Sequence, residues 1–230
     1  MKRILLLGLC CALLLIAIAC NTPEIPNPDN SPSGPDTKND VDLSTCYTTA
    51  HTPSAEATCY VQFKLVGGAT FVVELYPEQA PQTVAHFQKL VANHYYDGLT
   101  FHRIWKDYCV YGGDPTASGT GCAINPIPGE FKNNGFEGNT LQHLRGTISM
   151  WHSSTDPDSA TTQFFIMQKD SVTCDGKYAA FGRVIYGMET VDAIANVPLT
   201  EEQPSNNKTK PVKAPVIESA TFVIIEAAAE

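Results

Sequence analysis

The sequence predicts a mainly β protein, an eight-stranded closed antiparallel β-barrel accompanied by two α-helices. Eight short runs with strand-like patterning follow residue 59, and turn-forming residues separate most of them. Two segments space their apolar residues as a helix does. Because the strands follow one another through turns and do not alternate with helices, an antiparallel barrel is favoured over β–α–β units.

The first two strands are predicted to form a hairpin. Apolar residues alternate with polar ones along the first strand, so one face is apolar, at Val61, Phe63 and Leu65. Gly67-Gly68 then predicts a two-residue turn. The return strand repeats the alternation at Phe71, Val73 and Leu75.

Helical spacing follows the hairpin and returns once near the end of the chain. Val84, Phe87 and Val91 predict an amphipathic helix over residues 81–93, with Pro81 in its first turn. A second, shorter helix is predicted from Val191, Ile194 and Ala195. The six remaining strands are predicted near residues 99–105, 108–113, 146–151, 162–168, 178–186 and 219–226.

Length and charge narrow the class of protein. The chain has 230 residues, of which 43% are hydrophobic, so it can close a core of ordinary domain size. It carries 15 Lys and Arg against 24 Asp and Glu, a formal net charge of -9, and its basic residues are not clustered. We therefore expect no nucleic-acid partner, because binding to a phosphate backbone needs a basic surface.

The N-terminal segment has the pattern of an export signal. Lys2 and Arg3 precede an apolar run at residues 4–19 that is short for a membrane span and placed like a secretory signal. Its end, Ala17-Ile18-Ala19-Cys20, resembles the bacterial lipobox, whose cysteine is lipidated and becomes the mature N-terminus. We predict a lipoprotein signal peptide at residues 1–19 and a lipid anchor on Cys20. A plain signal peptide cleaved nearby is the alternative.

Residues 20–57 are predicted to be a proline-rich spacer. Prolines at positions 23, 26, 28, 32 and 35 lie among Asn, Ser, Asp and Gly, a composition that cannot build a packed core. The globular domain is therefore assigned to residues 58–230. With the lipid anchor, these segments predict a protein of the bacterial cell envelope, held to a membrane on its periplasmic or outer surface.

Cysteine spacing predicts one disulfide and no metal site. Exported proteins meet an oxidising environment in which disulfides persist. Cys46 and Cys59 lie close together in sequence, and a disulfide between them would close a short loop at the edge of the domain. No Cys-x-x-Cys or His-x-x-His pair occurs, so we expect neither a bound metal nor a cofactor.

Six short motifs occur in a fixed order along the domain. They are Phe101-His102-Arg103-Ile104, Gly112-Gly113-Asp114, Gly119-Thr120-Gly121, Gly146-Thr147-Ile148-Ser149-Met150, Gln163-Phe164-Phe165-Ile166 and Asp175-Gly176-Lys177. In order and spacing they resemble the cyclophilins, the cyclophilin-type peptidyl-prolyl cis-trans isomerases. The resemblance covers about residues 58–226. It implies an eight-stranded barrel capped by two helices, and an enzyme that isomerises X–Pro bonds in proline-containing polypeptides.

The resemblance also implies a role for the residues of a proline-binding cleft. Arg103 occupies the position of the family's catalytic arginine, and Phe165 that of the floor of the proline pocket. Gln163 matches a polar residue beside the bound peptide. The other positions implied to line the cleft are Tyr108, Cys109, Tyr111, Trp151, His152, Cys174 and Tyr178.

Strand alternation adds two predictions about side-chain direction. Arg103 is expected to share one face of its strand with Leu99, Phe101 and Trp105. Phe165 is expected to point with Gln163 and Met167, away from Phe164 and Ile166.

Several cleft positions depart from the family pattern. Tyr108-Cys109 replace Phe-Met, and Tyr111 replaces Gln. Trp151-His152 replace Ala-Asn, which narrows access to the proline, although His152 can still bind a substrate backbone through a ring nitrogen. Thr173-Cys174 replace Trp-Leu, and Tyr178 replaces His, as it does in bacterial members. Cys109 and Cys174 would share the pocket, either as a disulfide or as two buried thiols.

Three functions fit these residues. The first is a lipid-anchored isomerase that aids the folding of cell-envelope proteins, since uncatalysed X–Pro isomerisation is slow. The second is a catalytically weak cyclophilin-like module that binds proline-containing segments or a partner protein, an alternative raised by Trp151, Tyr111, Cys109 and Thr173. The third, a hydrolase using His102 or His152 with a serine, lacks a Gly-x-Ser-x-Gly motif. A monomer is expected.

Overall fold

Eight antiparallel strands form one sheet in the computed structural model, which describes residues 59–119, 124–200 and 209–224. The strands are β1 (Tyr60–Leu65), β2 (Thr70–Leu75), β3 (Arg103–Trp105), β4 (Cys109–Gly112), β5 (Thr147–Met150), β6 (Phe164–Met167), β7 (Ala180–Tyr186) and β8 (Ile217–Phe222). The helices are α1 (Pro81–Ala92) and α2 (Met188–Ala195). The strand order in the sheet is β3-β4-β6-β5-β7-β2-β1-β8. The predicted mainly β fold with eight strands and two helices is therefore confirmed.

The sheet is an open half-barrel, so the predicted closed barrel is wrong. β3 and β8 are its edges, and within the described residues no ladder joins them. β3 has only three residues, and its outer edge makes one hydrogen bond to the segment 209–216, from the Ile104 N–H to the Thr209 carbonyl over 2.7 Å. That segment contains Pro211 and Pro215, which have no N–H to donate to a ladder. An isolated bridge between Thr100 and Val216 spans the gap instead.

The third strand begins later than the sequence predicts. β3 starts at Arg103, so the predicted alternation of Arg103 with Leu99 and Phe101 is wrong, because a period of two holds only within a strand. Phe101 is fully buried in the largest apolar cluster, whereas Trp105 packs with residues on the other face of the sheet.

The β1–β2 turn contains three residues, not the predicted two. The Leu65 N–H donates to the Ala69 carbonyl over 2.8 Å, which leaves Val66, Gly67 and Gly68 in the loop. Both glycines have positive φ angles, 106° and 90°, a backbone region that other residues enter only at a cost. The two glycines therefore predict the position of the turn correctly. The number of residues in the turn is set by the pairing of Leu65 with Ala69.

The two faces of the sheet pack into separate apolar clusters. The inner core joins one face of the sheet to both helices and contains an aromatic group of Phe63, Phe71, Phe87, Tyr96, Phe101, Phe164 and Phe181. The cleft cluster, on the other face, consists of Cys109, Tyr111, Phe165 and Met167 with Trp105, Tyr108, Trp151 and Tyr178 packed against it. Phe164 and Phe165 are adjacent in β6 yet belong to different clusters, which confirms the predicted alternation there.

Helix α1 receives its N-terminal cap from a distant loop. Ala80, the N-cap residue, makes no side-chain hydrogen bond to the helix. The Gln82 and Thr83 N–H groups donate instead to the two carboxylate oxygens of Glu130, over 3.0 and 2.8 Å. A carboxylate is favoured at a helix N-terminus, where free N–H groups concentrate partial positive charge.

Several predictions concern the N-terminal region. All of them lie outside the described residues. They are the signal peptide at residues 1–19, the anchor on Cys20, the spacer at residues 20–57, and Cys46 as the disulfide partner of Cys59. Among the residues that are described, no helix has the length and hydropathy of a membrane span.

Candidate active site

A row of four side chains crosses neighbouring strands on the outer face of the sheet. Arg103 of β3 is opposite Tyr111 of β4, Tyr111 is opposite Phe165 of β6, and Phe165 is opposite Ser149 of β5. Directly opposed residues in antiparallel strands share a face and lie within contact distance. Strand pairing therefore brings the predicted catalytic arginine and the predicted floor residue into one site.

Arg103 lies over an aromatic surface. Its guanidinium carbon is 5.4 Å from the centroid of the Tyr111 ring, close enough for a cation–π contact. The Tyr111 ring in turn lies 5.6 Å from the Phe165 ring. Burial raises the pKa of Tyr111, so the phenol is neutral at physiological pH. The positive charge of Arg103 thus sits at the edge of an otherwise uncharged, apolar floor.

One end of the cleft is formed by Tyr108, Cys109 and Cys174. The Tyr108 hydroxyl is 2.9 Å from Cys174 Sγ, and its ring meets the Trp105 ring edge-on at 5.3 Å. Cys109 is fully buried, and burial raises its pKa, so the thiol is neutral. Both cysteines are thiols in this structure, which agrees with the second of the two alternatives stated for the pair.

Tyr178 and His152 form a side wall. The Tyr178 ring stands edge-on to Phe165, with centroids 5.1 Å apart, and lies 4.8 Å from the His152 ring. The two ring nitrogens of His152 are each 2.8 Å from a backbone carbonyl oxygen, those of Ser153 and Lys177. Both nitrogens therefore contact the chain itself, so His152 acts as part of the wall and does not present a ring nitrogen for a substrate backbone in this conformation.

Gln163 and Trp151 lie at the other end of the cleft. The Gln163 side-chain amide donates to the Gly119 backbone carbonyl over 3.3 Å. The Trp151 backbone N–H donates to the Gln163 backbone carbonyl over 2.9 Å. Trp151 is half-buried against the cleft cluster. All ten side chains implied to form the site, from Arg103 to Tyr178, are thus gathered around one face of the sheet.

Three further side chains, to which the sequence analysis gave no role, adjoin the site. Ser149 Oγ is 2.9 Å from His143 Nε2, and His143 Nδ1 is 3.0 Å from Asp175 Oδ1. Ser149 and Asp175 belong to motifs quoted above, but His143 meets them only through the fold. Ser149 is fully buried, so its hydroxyl is not exposed to attack a substrate. The hydrolase alternative therefore gains no support from this Ser–His–Asp arrangement.

Histidine burial predicts that the protein loses stability in mild acid. Burial lowers the pKa values of His86, His102 and His143 below the ordinary 6.5. The unfolded chain therefore binds more protons than the folded one as the pH falls below about 6.5, and stability decreases by up to about 4 kcal/mol per pH unit for three such groups. Urea unfolding at pH 7.5, 6.5 and 5.5 measures this slope.

The same series can be repeated on a variant. His86→Gln should reduce the pH slope by about a third, because one of three contributing groups is removed. Equal stability at pH 7.5 and 5.5 in the unsubstituted protein would show that these histidines do not titrate differently in the folded and unfolded states.

No group of three or more His, Cys, Asp or Glu side chains in the described ranges is arranged to hold a metal ion. The arrangement provides instead an apolar cluster, a half-buried arginine and several hydrogen-bonding groups. Such a site can bind and twist a peptide without covalent chemistry.

Comparison with known proteins identifies the family. Residues 60–222 match the model described as cyclophilin type peptidyl-prolyl cis-trans isomerase/CLD. Peptidyl-prolyl cis-trans isomerase B of Bacillus subtilis is 38% identical over 140 residues, which cover 61% of this chain and 93% of that protein. A peptidyl-prolyl cis-trans isomerase of Acinetobacter baylyi is 38% identical over 148 residues, covering 61% and 75%.

A solved structure shows the same fold. The crystal structure of a Cryptosporidium parvum cyclophilin type peptidyl-prolyl cis-trans isomerase, determined in the presence of the dipeptide Ala-Pro, is similar with a TM-score of 0.61 at 27% identity. The match covers 72% of this chain and 99% of that one. Because these relatives are isomerases, the alternative of a catalytically weak binding module is not favoured. The chain belongs to the cyclophilin-type peptidyl-prolyl cis-trans isomerases and is an isomerase.

Proposed function

We propose that the protein isomerises X–Pro bonds in proteins of the bacterial cell envelope, aiding their folding, while a lipid on Cys20 holds it to a membrane. The observation that carries the catalytic part is the row from Arg103 to Phe165, which combines a permanent positive charge with an apolar floor. A monomer remains our expectation.

The reaction needs no covalent step. An X–Pro bond resists rotation by about 18–20 kcal/mol because the nitrogen lone pair conjugates with the carbonyl group. In the twisted transition state the lone pair is localised on nitrogen and can accept a hydrogen bond. A site that binds the twisted form more tightly than either planar isomer therefore accelerates the reaction.

We assign the proline ring to the pocket formed by Phe165, Tyr108, Cys109 and Met167. These side chains are buried or half-buried and uncharged, so the pocket favours an apolar ring over water. Arg103, at the edge of the pocket, supplies planar N–H donors that stay charged at any physiological pH. Its role is to donate to the prolyl nitrogen as the bond twists.

The remaining cleft residues are assigned to the peptide on either side of the proline. The Gln163 side chain is buried, donates a long hydrogen bond of 3.3 Å to the Gly119 carbonyl and also meets the His102 side chain. We assign its amide to orienting the substrate backbone. Trp151, half-buried beside Gln163, limits the width of the cleft there. We therefore expect a preference for small residues next to the proline over bulky ones.

The net charge of the chain without its signal peptide bears on how it would be held to a membrane. Residues 1–19 contain two basic and no acidic residues, so their removal leaves 13 basic against 24 acidic residues, a net charge of -11. A chain with this charge is not attracted to anionic lipid. Anchoring would then depend entirely on acyl chains, each buried methylene contributing about 0.8 kcal/mol.

Substitution of Cys20 tests the anchor. In bacteria grown with an alkyne-labelled fatty acid, the full chain should carry the label and sediment with membranes. Cys20→Ala should lose the label and appear in the soluble fraction, whereas Cys46→Ala should behave as the unsubstituted chain does. If Cys20→Ala keeps the label, or if the unsubstituted chain is not labelled, lipidation at Cys20 is ruled out. The assignment as an isomerase does not depend on this result.

A further inference from the structure

A hydrogen-bonded chain of three side chains adjoins the floor of the cleft. Ser149, the cross-strand partner of Phe165, has its Oγ 2.9 Å from His143 Nε2. His143 Nδ1 is 3.0 Å from Asp175 Oδ1, and the same oxygen accepts the His143 backbone N–H over 2.7 Å. Ser149 and His143 are 0% and 1% exposed, so they act on a substrate only through other groups.

The protonation of this chain follows from its partners. Burial lowers the pKa of His143, so the ring is neutral at physiological pH. The Asp175 carboxylate can only accept a hydrogen bond, so His143 Nδ1 carries the proton and its N–H donates to Asp175 Oδ1. Nε2 is then the acceptor for the Ser149 hydroxyl. Hydrogen bonds on both ring nitrogens fix the ring against rotation.

The fixed ring lies against the floor of the proline pocket. The His143 and Phe165 rings are nearly parallel, 15° apart in plane, with centroids separated by 6.0 Å. Tyr178 stands edge-on to both, 6.4 Å from His143 and 5.1 Å from Phe165. The orientation of His143 therefore limits the orientations open to Phe165.

We propose that Asp175 and His143 are positioning residues for the isomerisation: with Ser149 they lock the imidazole that holds the Phe165 ring in place for the proline. This inference rests on the proposed function of the cleft. The trio has the hydrogen-bond pattern of a hydrolase triad, but its serine is enclosed and serves as an anchor for Nε2. A displaced floor would misplace the proline relative to Arg103.

Four variants of the full chain, with the unsubstituted chain, test the proposal in an X–Pro peptide isomerisation assay. Asp175→Ala should lower kcat/KM about 10- to 100-fold, the range expected when a reacting group is displaced by a fraction of an ångström to one ångström. Asp175→Asn keeps an oxygen acceptor for Nδ1 and should recover most of the loss. Ser149→Ala releases only Nε2 and should have a smaller effect in the same direction.

Thr190→Val is the matched control for loss of a buried hydrogen bond. The Thr190 hydroxyl donates to the Thr70 carbonyl over 2.8 Å, away from the cleft. This variant should unfold at lower urea concentration and keep kcat/KM unchanged. NMR adds a readout of position: in Asp175→Ala the Phe165 ring resonances should shift, and the ¹⁵N shifts of His143 should no longer show a single tautomer.

The outcomes separate the possibilities. If the unsubstituted chain is inactive, the isomerase function itself fails. If the unsubstituted chain is active and Asp175→Ala has the same kcat/KM, the positioning role is overturned. If Asp175→Ala does not fold, Ser149→Ala takes its place in this comparison. The positioning role is also overturned if Asp175→Asn does not restore the activity lost in Asp175→Ala and the losses of kcat/KM among the variants simply parallel their losses of stability. Covalent labelling of Ser149 by a fluorophosphonate probe would show that Ser149 is a nucleophile and would overturn the positioning role.

Discussion

Arg103→Ala is expected to lower kcat/KM for an X–Pro peptide by about 100- to 1000-fold. Removing one preorganised donor to a developing lone pair or charge typically has an effect of this size, and a thousandfold change corresponds to about 4 kcal/mol of transition-state stabilisation. Arg103 lies over Tyr111 at the edge of the apolar floor, so no other cation replaces it in the described row of four. A protease-coupled or NMR exchange assay measures the rate.

Two companion variants sharpen the Arg103 prediction. Arg103→Lys keeps the charge but loses the planar set of donors, so we expect an intermediate rate. Arg183→Ala removes an exposed arginine from β7 and should leave kcat/KM unchanged. If Arg103→Ala is folded and within about twofold of the unsubstituted chain, the arginine does not participate in catalysis.

Phe164→Ala is expected to destabilise the protein by about 3–5 kcal/mol, the range typical of deleting a buried aromatic ring. The Phe164 ring is fully buried and packs against four others, with centroid distances of 5.6 Å to Phe63, 6.1 Å to Phe87, 5.4 Å to Tyr96 and 6.1 Å to Phe101. Removing it leaves a cavity at the centre of the inner core. Urea unfolding at pH 7.5 gives the free energy of unfolding.

Phe164→Leu refills most of that volume and should be destabilised much less than Phe164→Ala. A loss below about 1 kcal/mol in Phe164→Ala would mean that the surrounding rings collapse into the space, contrary to the tight packing inferred for the inner core.

Local patterns in the sequence predict which face of a strand a side chain occupies. Phe164 and Phe165 are neighbours that pack into different clusters, and a period of two along a strand predicts this without knowledge of the partner strands. The same rule failed at Leu99 and Phe101, because the chain there is not yet in a strand. The motif resemblance predicts Arg103 and the cleft residues because each motif is a short stretch of sequence, and their roles stay predictions.

Features that depend on contacts between distant segments could not be predicted. Whether β3 and β8 pair depends on what lies opposite a three-residue edge strand, and Pro211 and Pro215 occupy that place. His143 has no distinctive neighbours in sequence. It becomes part of the site only because the fold brings Ser149 to one ring nitrogen and Asp175 to the other.

The cap on helix α1 has a consequence for how the chain folds. Its first-turn N–H groups are satisfied by Glu130, 48 and 47 residues away along the chain. A 12-residue helix is marginal in water without tertiary contacts, and closing a loop of this length costs entropy before its contacts form. We therefore expect the start of α1 to become ordered late, when the segment carrying Glu130 docks, and not to act as a folding nucleus.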